Sequence, residues 1–570
     1  MTRTLRLALV ALPLLAATTL AADAPWIARG TAGMVASDCP RASQIGADVL
    51  TAGGNAFDAA VATSLTLSVT RSFGTGIGGG GFALLYIAAE DRCIALDFRE
   101  SAPASATPQR YAGLHANRAN GPSASIFGGN AVGIPGQLAG LGELHARFGS
   151  RPWAELVTPA ATLAETGFEA DPAYREACQT VLANLAKWPQ LRTHHGPFIA
   201  MVLPHNRPPE LGQRVRRPQL AATLRTIADD GPAAFYRGSI AYAIVRAVNA
   251  AGGEIYPADL EAYRVIERTP LRITTDKYDV VTMPPPSSGG VCLAQTLNIL
   301  GILARDSGGL RPLHDAAQYH PALVNALKHA FADRARWLGD PDFSDIPVAR
   351  LTSQAYAETL ARRTATRPAD FGTLPPDDAG TSHFTIVDRH GNIVALTETI
   401  NDTFGSLVVA QPFGIILNNE MDDFLTVPGQ ANLFGLQQGR PNLVGPGKRP
   451  LSSMTPTIVF QDGRPVLALG ASGGPRIITA TLQVLLNVME FNQPLEQAVA
   501  ATRLHHQWQP DEVYFDADPP ADALAALTKA GQTISTKRRS AVVQAVQIRP
   551  DGTLIGASDP RKAGRPAAAP

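Results

Sequence analysis

Cysteine is scarce in this chain. Cys39, Cys93, Cys178 and Cys292 are the only four among 570 residues, and none sits in a CxxC pair. A zinc ribbon or dithiol redox motif is therefore excluded, and buried free thiols are expected even in an oxidising compartment. Charge of one sign is missing too. The 49 basic and 49 acidic side chains cancel, and charged residues make up only 17% of the chain. With no basic face to neutralise phosphates, nucleic acid is not an expected partner. A Walker A loop and an HExxH pair are also absent, which removes two common routes to hydrolytic chemistry.

Long apolar runs are almost missing. The one from Leu7 to Leu15 follows Arg3 and Arg6 and precedes the small residues at Thr19-Leu20-Ala21-Ala22. It is too short to span a bilayer and reads as a secretory signal over residues 1–22, with a retained anchor as the alternative. The mature protein is expected to be soluble, exported to a bacterial periplasm and without a retained membrane segment.

What is present is a mixture of helical and alternating patterns. ASQIGADVLTAGG sets Ile45, Val49 and Leu50 on one helical face and ends at Gly53-Gly54. FDAAVATSLTLSV is a second helix, leading into GTGIGGGG and the strands FALLYIA and CIALDF. That tract matches GxGxxG, but a helix precedes it and a strand follows, the reverse of a dinucleotide-binding turn. Its glycines are expected instead to permit close backbone approach near a site. PTIVFQDGRPVLALG and VVQAVQIRPDGTLIGAS are hairpins closing on Asp-Gly, with the helix RIITATLQVLLNVMEF between them. Such hairpins under amphipathic helices predict an α+β layered fold. The tail RKAGRPAAAP is expected to be disordered.

The segment from Gly380 to Asn401 carries the most chemistry. A loop, TLPPDDAG, runs into Thr381, which opens a hairpin turning at Arg389-His390-Gly391-Asn392. Cleavage between Gly380 and Thr381 would put a hydroxyl and a free α-amine on one residue. Such an amine titrates near ~8, so it can act as general base for the hydroxyl. Uncut, the segment is merely a Thr-Ser pair ending a loop.

Other segments are ambiguous alone. Arg99 in DFRE could grip a carboxylate bidentately or form an ordinary surface pair with Glu100, the commoner outcome. Glu420, Asp422 and Asp423 in NNEMDDFL could bind an ammonium group or line a solvated turn. Gly473 and Gly474, between a strand and a helix with Pro475 at its first turn, suit an oxyanion hole or a tight turn. Ser452 and Ser453 offer hydroxyl donors. His505-His506 reads as structural, and nothing marks a metal site.

Together these segments resemble the γ-glutamyltranspeptidase (glutathione hydrolase) family of N-terminal-nucleophile hydrolases. The resemblance rests on GGNAFDAAVAT, GIGGGGF, DFRESAP, PPPSSGG, TSHFTIVD, TETIN, LNNEMDDF, GPGKRPLSSMTPTIV, ASGGPRIIT and GASDPR, in that order. It implies a four-layer αββα sandwich from a precursor that cuts itself into a large subunit, 23–380, and a small one, 381–570. By that pattern Thr381 is the nucleophile and Thr399 the supporting hydroxyl. Arg99, Ser452 and Ser453 hold the α-carboxylate of a γ-glutamyl group, and Asn401, Glu420 and Asp423 its α-amine. Gly473 and Gly474 form the oxyanion hole. Glutathione and related γ-glutamyl compounds are the implied donors, water or amino acids the acceptors, and no cofactor or metal is required.

Two departures stand out. Ser382 replaces the second threonine of many relatives and keeps its hydroxyl. Phe434 stands where many bacterial members carry a lid tyrosine, so the lid's closing hydrogen bond is expected to be missing. Rival readings are a glutaryl (cephalosporin) acylase, a poly-γ-glutamate depolymerase, or an uncut binding protein retaining the amino-acid pocket.

Overall fold

The computed structural model describes residues 24–116, 122–305, 307–315, 317–363, 380–538 and 540–570. The expected signal peptide and most of the loop before Gly380 lie outside the described residues.

Two seven-stranded sheets occupy the centre, every neighbouring pair of strands antiparallel. The first runs Ala567–Ala569, Gly33–Ser37, Gly380–Asp388, Ile393–Asn401, Gly80–Ile87, Arg92–Phe98, Ile266–Arg268. The second runs Ile27–Gly30, Leu554–Ser558, Val542–Ile548, Arg464–Ser472, Thr457–Gln461, Asp279–Thr282, Leu271–Thr274. Each of these two sheets interleaves strands from before and after Gly380, so neither side of that residue forms either central sheet alone.

The period of two along each strand builds the layers. Met34, Ala36, Phe82, Leu84 and Ala395 join the core shared with the second sheet. Their neighbours Val35, Ala83, Leu85, Val394 and Leu396 join the core under the helices Pro40–Thr51, Ala56–Thr70 and Trp153–Thr166. On the far side, Gly289–Arg305, Tyr319–Trp337 and Arg476–Met489 cover the second sheet. The result is the helix, sheet, sheet, helix stack expected from the sequence. Ala56–Thr70 is buried on all sides and starts with a capping box between Asn55 and Asp58, which satisfies backbone donors that water cannot reach.

The tail does not behave as expected. Ala567–Ala569 is an edge strand paired to Gly33, Met34 and Val35. Its methyls fit because its neighbours are glycines: a Cβ on Gly30 would lie 2.7 Å from that of Ala568. Upstream, Arg561 pairs with Asp516 and Asp559, and Lys562 with Asp38. Those fixed charges hold a segment whose composition alone suggests disorder.

All four cysteines are free, three of them buried. His505 bonds Thr479 and Gln507, and His506 bonds Asp511, both consistent with structural roles. Among the described residues no helix is long and apolar enough to cross a membrane.

Candidate active site

The ladder between Gly380–Asp388 and Ile393–Asn401 shifts register between Gly380 and Thr381 and sets Thr381 opposite Thr399. Only glycine fits before the nucleophile candidate. A Cβ on Gly380 would lie 2.6 Å from the Phe73 carbonyl and 2.9 Å from that of Asp402. The glycine tract closes on the same hairpin, since a Cβ on Gly79 would lie 2.0 Å from the Thr399 carbonyl. Close backbone approach is therefore what the tract provides.

Thr399 organises the start of the hairpin. Its Oγ1 donates to the Gly380 carbonyl at 2.8 Å and accepts the Asn401 amide at 2.8 Å. It also lies 3.1 Å from Thr381 Oγ1. A hydroxyl has one proton and two lone pairs. With that proton spent on Gly380, Thr381 must donate to Thr399. One side chain thus contacts both the Gly380 carbonyl and the Thr381 hydroxyl.

The second half of the site is ionic. Arg99, at the end of the strand Arg92–Phe98, and Glu100 are fully buried, not the surface pair that local sequence favours. NNEMDDFL likewise forms a buried 3₁₀ turn, Glu420–Asp423, in place of a solvated one. Arg99 Nη1 donates to Glu420, Nη2 to Asp423 at 2.6 Å, and Nε to the Pro450 carbonyl at 3.3 Å. Glu100 lies 3.7 Å from Nη1. Burial pushes Glu100 up to about 7 and Glu420 well above the carboxylate range, with Arg99 opposing both shifts. Burial also raises Asp423, again against Arg99. Burial works against the Arg99 charge, but Glu420 and Asp423 overcome it and keep the guanidinium protonated. Arg334 is felt by Asp423 electrostatically while donating to Ser288.

A cavity of about 20 Å³ joins the two halves, lined by Arg99, Thr381, Thr399, Asn401, Glu420, Asp423, Ser452, Ser453 and Gly474, with Phe434 over one side. Nine of the ten residues that the family resemblance singles out for catalysis or binding thus meet in one place. Gly473 sits behind, against Ser540 and Ala541, at φ +130°. Larger clefts exist, one of about 400 Å³, but that one does not reach Thr381. The small cavity admits about one water and no glutamyl group, so a donor must separate Arg99 from its carboxylates or lift Phe434.

Asp422 faces away. It accepts Ser125 Oγ at 2.6 Å and the Leu433 amide at 2.7 Å, and burial raises it to about 6. Asn432 donates to Asp423 at 3.0 Å and accepts the Phe434 and Leu436 amides. These bonds fix the Phe434 segment to the acidic turn. Sequence reasoning missed Asn432, and it also passed over Asp97 and Arg449, though both lie inside quoted motifs. Among the described residues no group of three or more His, Cys, Asp or Glu could hold a metal ion.

The sequence profile described as Gamma-glutamyltranspeptidase matches residues 42–569. The glutathione hydrolase proenzyme of Escherichia coli (strain K12) is 40% identical over 540 residues, covering 94% of this chain and 91% of that protein. The Pseudomonas aeruginosa glutathione hydrolase proenzyme is 42% identical over 541 residues, 93% of this chain and 94% of that one. Among solved structures, the cephalosporin acylase from Bacillus halodurans superposes with a TM-score of 0.83 at 26% identity, covering 98% of this chain and 99% of that one. A hydroxyl-bearing hairpin start, a zwitterion-sized set of charges beside it and a full-length match lead to one conclusion: the chain belongs to the gamma-glutamyltranspeptidase family.

Proposed function

We infer that this protein is a self-cleaving γ-glutamyltransferase and glutathione hydrolase working through a γ-glutamyl ester on Thr381. The observation that carries the reading is the Thr399 hydroxyl, bonded at once to the Gly380 carbonyl and to Thr381 Oγ1. In the precursor, Thr381 Oγ adds to the Gly380 carbonyl carbon. The Gly380–Thr381 C–N bond breaks, an ester forms, and the departing nitrogen takes the hydroxyl proton. Water then hydrolyses that ester, leaving subunits 23–380 and 381–570. In the mature enzyme the new amine accepts the Thr381 proton as Oγ attacks the γ-amide carbonyl of glutathione. The proton passes to the leaving cysteinylglycine nitrogen. Water or an amino acid then takes the γ-glutamyl group by the same chemistry in reverse.

Gly473 and Gly474 amides hold the oxyanion, where losing one donor costs ~3 kcal/mol. The donor's α-carboxylate replaces the protein carboxylates at Arg99, assisted by Ser452 and Ser453. Its ammonium takes the position vacated beside Glu420 and Asp423, next to Asn401. Both charges end paired, which a buried site requires. Phe434 covers the site without a hydroxyl to bolt it shut, so water competes as acceptor. Residues 1–22 direct export to a periplasm. A glutaryl acylase is the second reading, favoured by the likeness to a cephalosporin acylase. Against it stand Glu420 and Asp423, which would be left without an ammonium partner.

The test is Thr381→Ala. It should run as one uncut chain on denaturing electrophoresis and release no anilide from γ-glutamyl-p-nitroanilide. A cut Thr381→Ala protein would refute the shared nucleophile.

A further inference from the structure

A second ionic layer lies directly beneath the clamp. Asp97, fully buried and two residues before Arg99, accepts the Arg99 amide at 3.0 Å and Arg268 Nε at 2.7 Å. Arg449 donates through one Nη1 to the Asp97 carboxylate and, at 2.6 Å, to the Asp97 carbonyl. Its own amide donates to Asp340 at 2.7 Å, and its guanidinium lies 5.5 Å from the centre of the Tyr263 ring. Tyr263 in turn donates to the Arg99 carbonyl at 2.7 Å. The next residue, Pro450, offers the carbonyl that receives Arg99 Nε. Ser452 and Ser453 follow at once, Ser452 held by backbone and hydroxyl bonds to Pro286 and Ser288. None of Asp97, Arg268, Arg449 or Asp340 lines the cavity.

We propose that Asp97 and Arg449 are positioning residues that set α-carboxylate selectivity, by locking the Arg99 strand end to the Pro450–Ser453 loop so that guanidinium and hydroxyls converge at one spacing. The proposal rests on the donor class inferred above and adds which residues enforce it. Arg99 is a long side chain whose partners change when donor enters, so its backbone and Nε must stay fixed for the exchange to be selective. Asp97 fixes the first and Arg449, through Pro450, the second. The two residues come from opposite sides of the Gly380–Thr381 bond, so the lock also spans the junction between the two fragments. Arginine suits this role because its planar fork holds Nη1 on Asp97 while Nη2 donates to the Arg264 carbonyl, two directions that a lysine ammonium cannot fix at once.

The experiment compares two donors on the same enzyme: γ-glutamyl-p-nitroanilide, and 4-aminobutyryl-p-nitroanilide, which keeps the amine and lacks the α-carboxylate. Wild type should prefer the first. Arg449→Lys should reduce that preference about tenfold, through a higher KM for the γ-glutamyl donor with kcat held. Turnover of the aminobutyryl donor and the extent of self-cleavage should not change. Asp97→Asn should give the same pattern. Equal loss on both donors, an unchanged ratio, or failure of both variants to cleave themselves would each overturn the proposal. A wild type indifferent to the α-carboxylate would instead overturn the donor class, before any variant is compared.

Discussion

Near the C-terminus, Arg503 and Arg561 each contact both Asp516 and Asp559, two cations against two carboxylates. At the cavity, Arg99 is the one cation among the described residues in direct contact with Glu420 and Asp423, with Glu100 3.7 Å away. The first cluster is charge-balanced and complete. The second has more acid than base in direct contact, and burial raises all three of its carboxylates. A buried surplus of negative charge is costly unless a cation arrives. In the function proposed above that cation is the ammonium of a γ-glutamyl donor, and the imbalance is what separates a proposed binding cluster from a balanced fastener.

Charge removal should separate the two. Asp423→Asn should lower kcat/KM for γ-glutamyl-p-nitroanilide about 1,000-fold with the urea midpoint little moved. Asp559→Asn should do the opposite, costing about 3 kcal/mol of unfolding free energy while specific activity of the folded protein stays within about twofold. If Asp559→Asn abolished turnover without destabilising the chain, the contrast would be lost. Substrate charge gives a third check. Wild type should prefer γ-glutamyl over glutaryl anilide by about 100-fold, and Asp423→Asn should abolish or invert that preference.

The smallest effect concerns Glu398, beside Thr399 but bonded on the other face to Ser64 at 2.5 Å and to Gln137. Burial lifts it from 4.5 to about 8, against those hydrogen bonds. Between these pH values the folded protein keeps a proton that the unfolded chain loses. Its stabilising contribution is full below 4.5 and is lost as pH rises to 8. Glu398→Gln mimics the protonated form and should gain ~2 °C in Tm over wild type at pH 8, with no gain at pH 4.5, by calorimetry. An equal shift at both values would show that Glu398 does not titrate in that range.

The layers and hairpins were legible because strand periodicity and Asp-Gly turns are local signals. Asp462-Gly463 and Asp551-Gly552 close hairpins as expected. Burial of charge is not local. Nothing within NNEMDDFL says that Glu420 and Asp423 are enclosed with Arg99, which lies 321 and 324 positions away from them. The resemblance to a family assembled that cavity where composition could not. The alanine tail was misjudged because its pairing depends on glycines at the far end of the chain and on Arg561 and Lys562 finding buried carboxylates. Asp97 and Arg449 went unremarked because a positioning ion pair has no spacing signature at a separation of 352.

Mass spectrometry of the enzyme, acid-quenched during turnover of glutathione, bears most directly on the central claim that a cut at Gly380–Thr381 creates the catalytic base. The account predicts a small fragment beginning at Thr381 that carries a γ-glutamyl group on that residue. A single unbroken chain with full activity, or an adduct on any other residue, would contradict it.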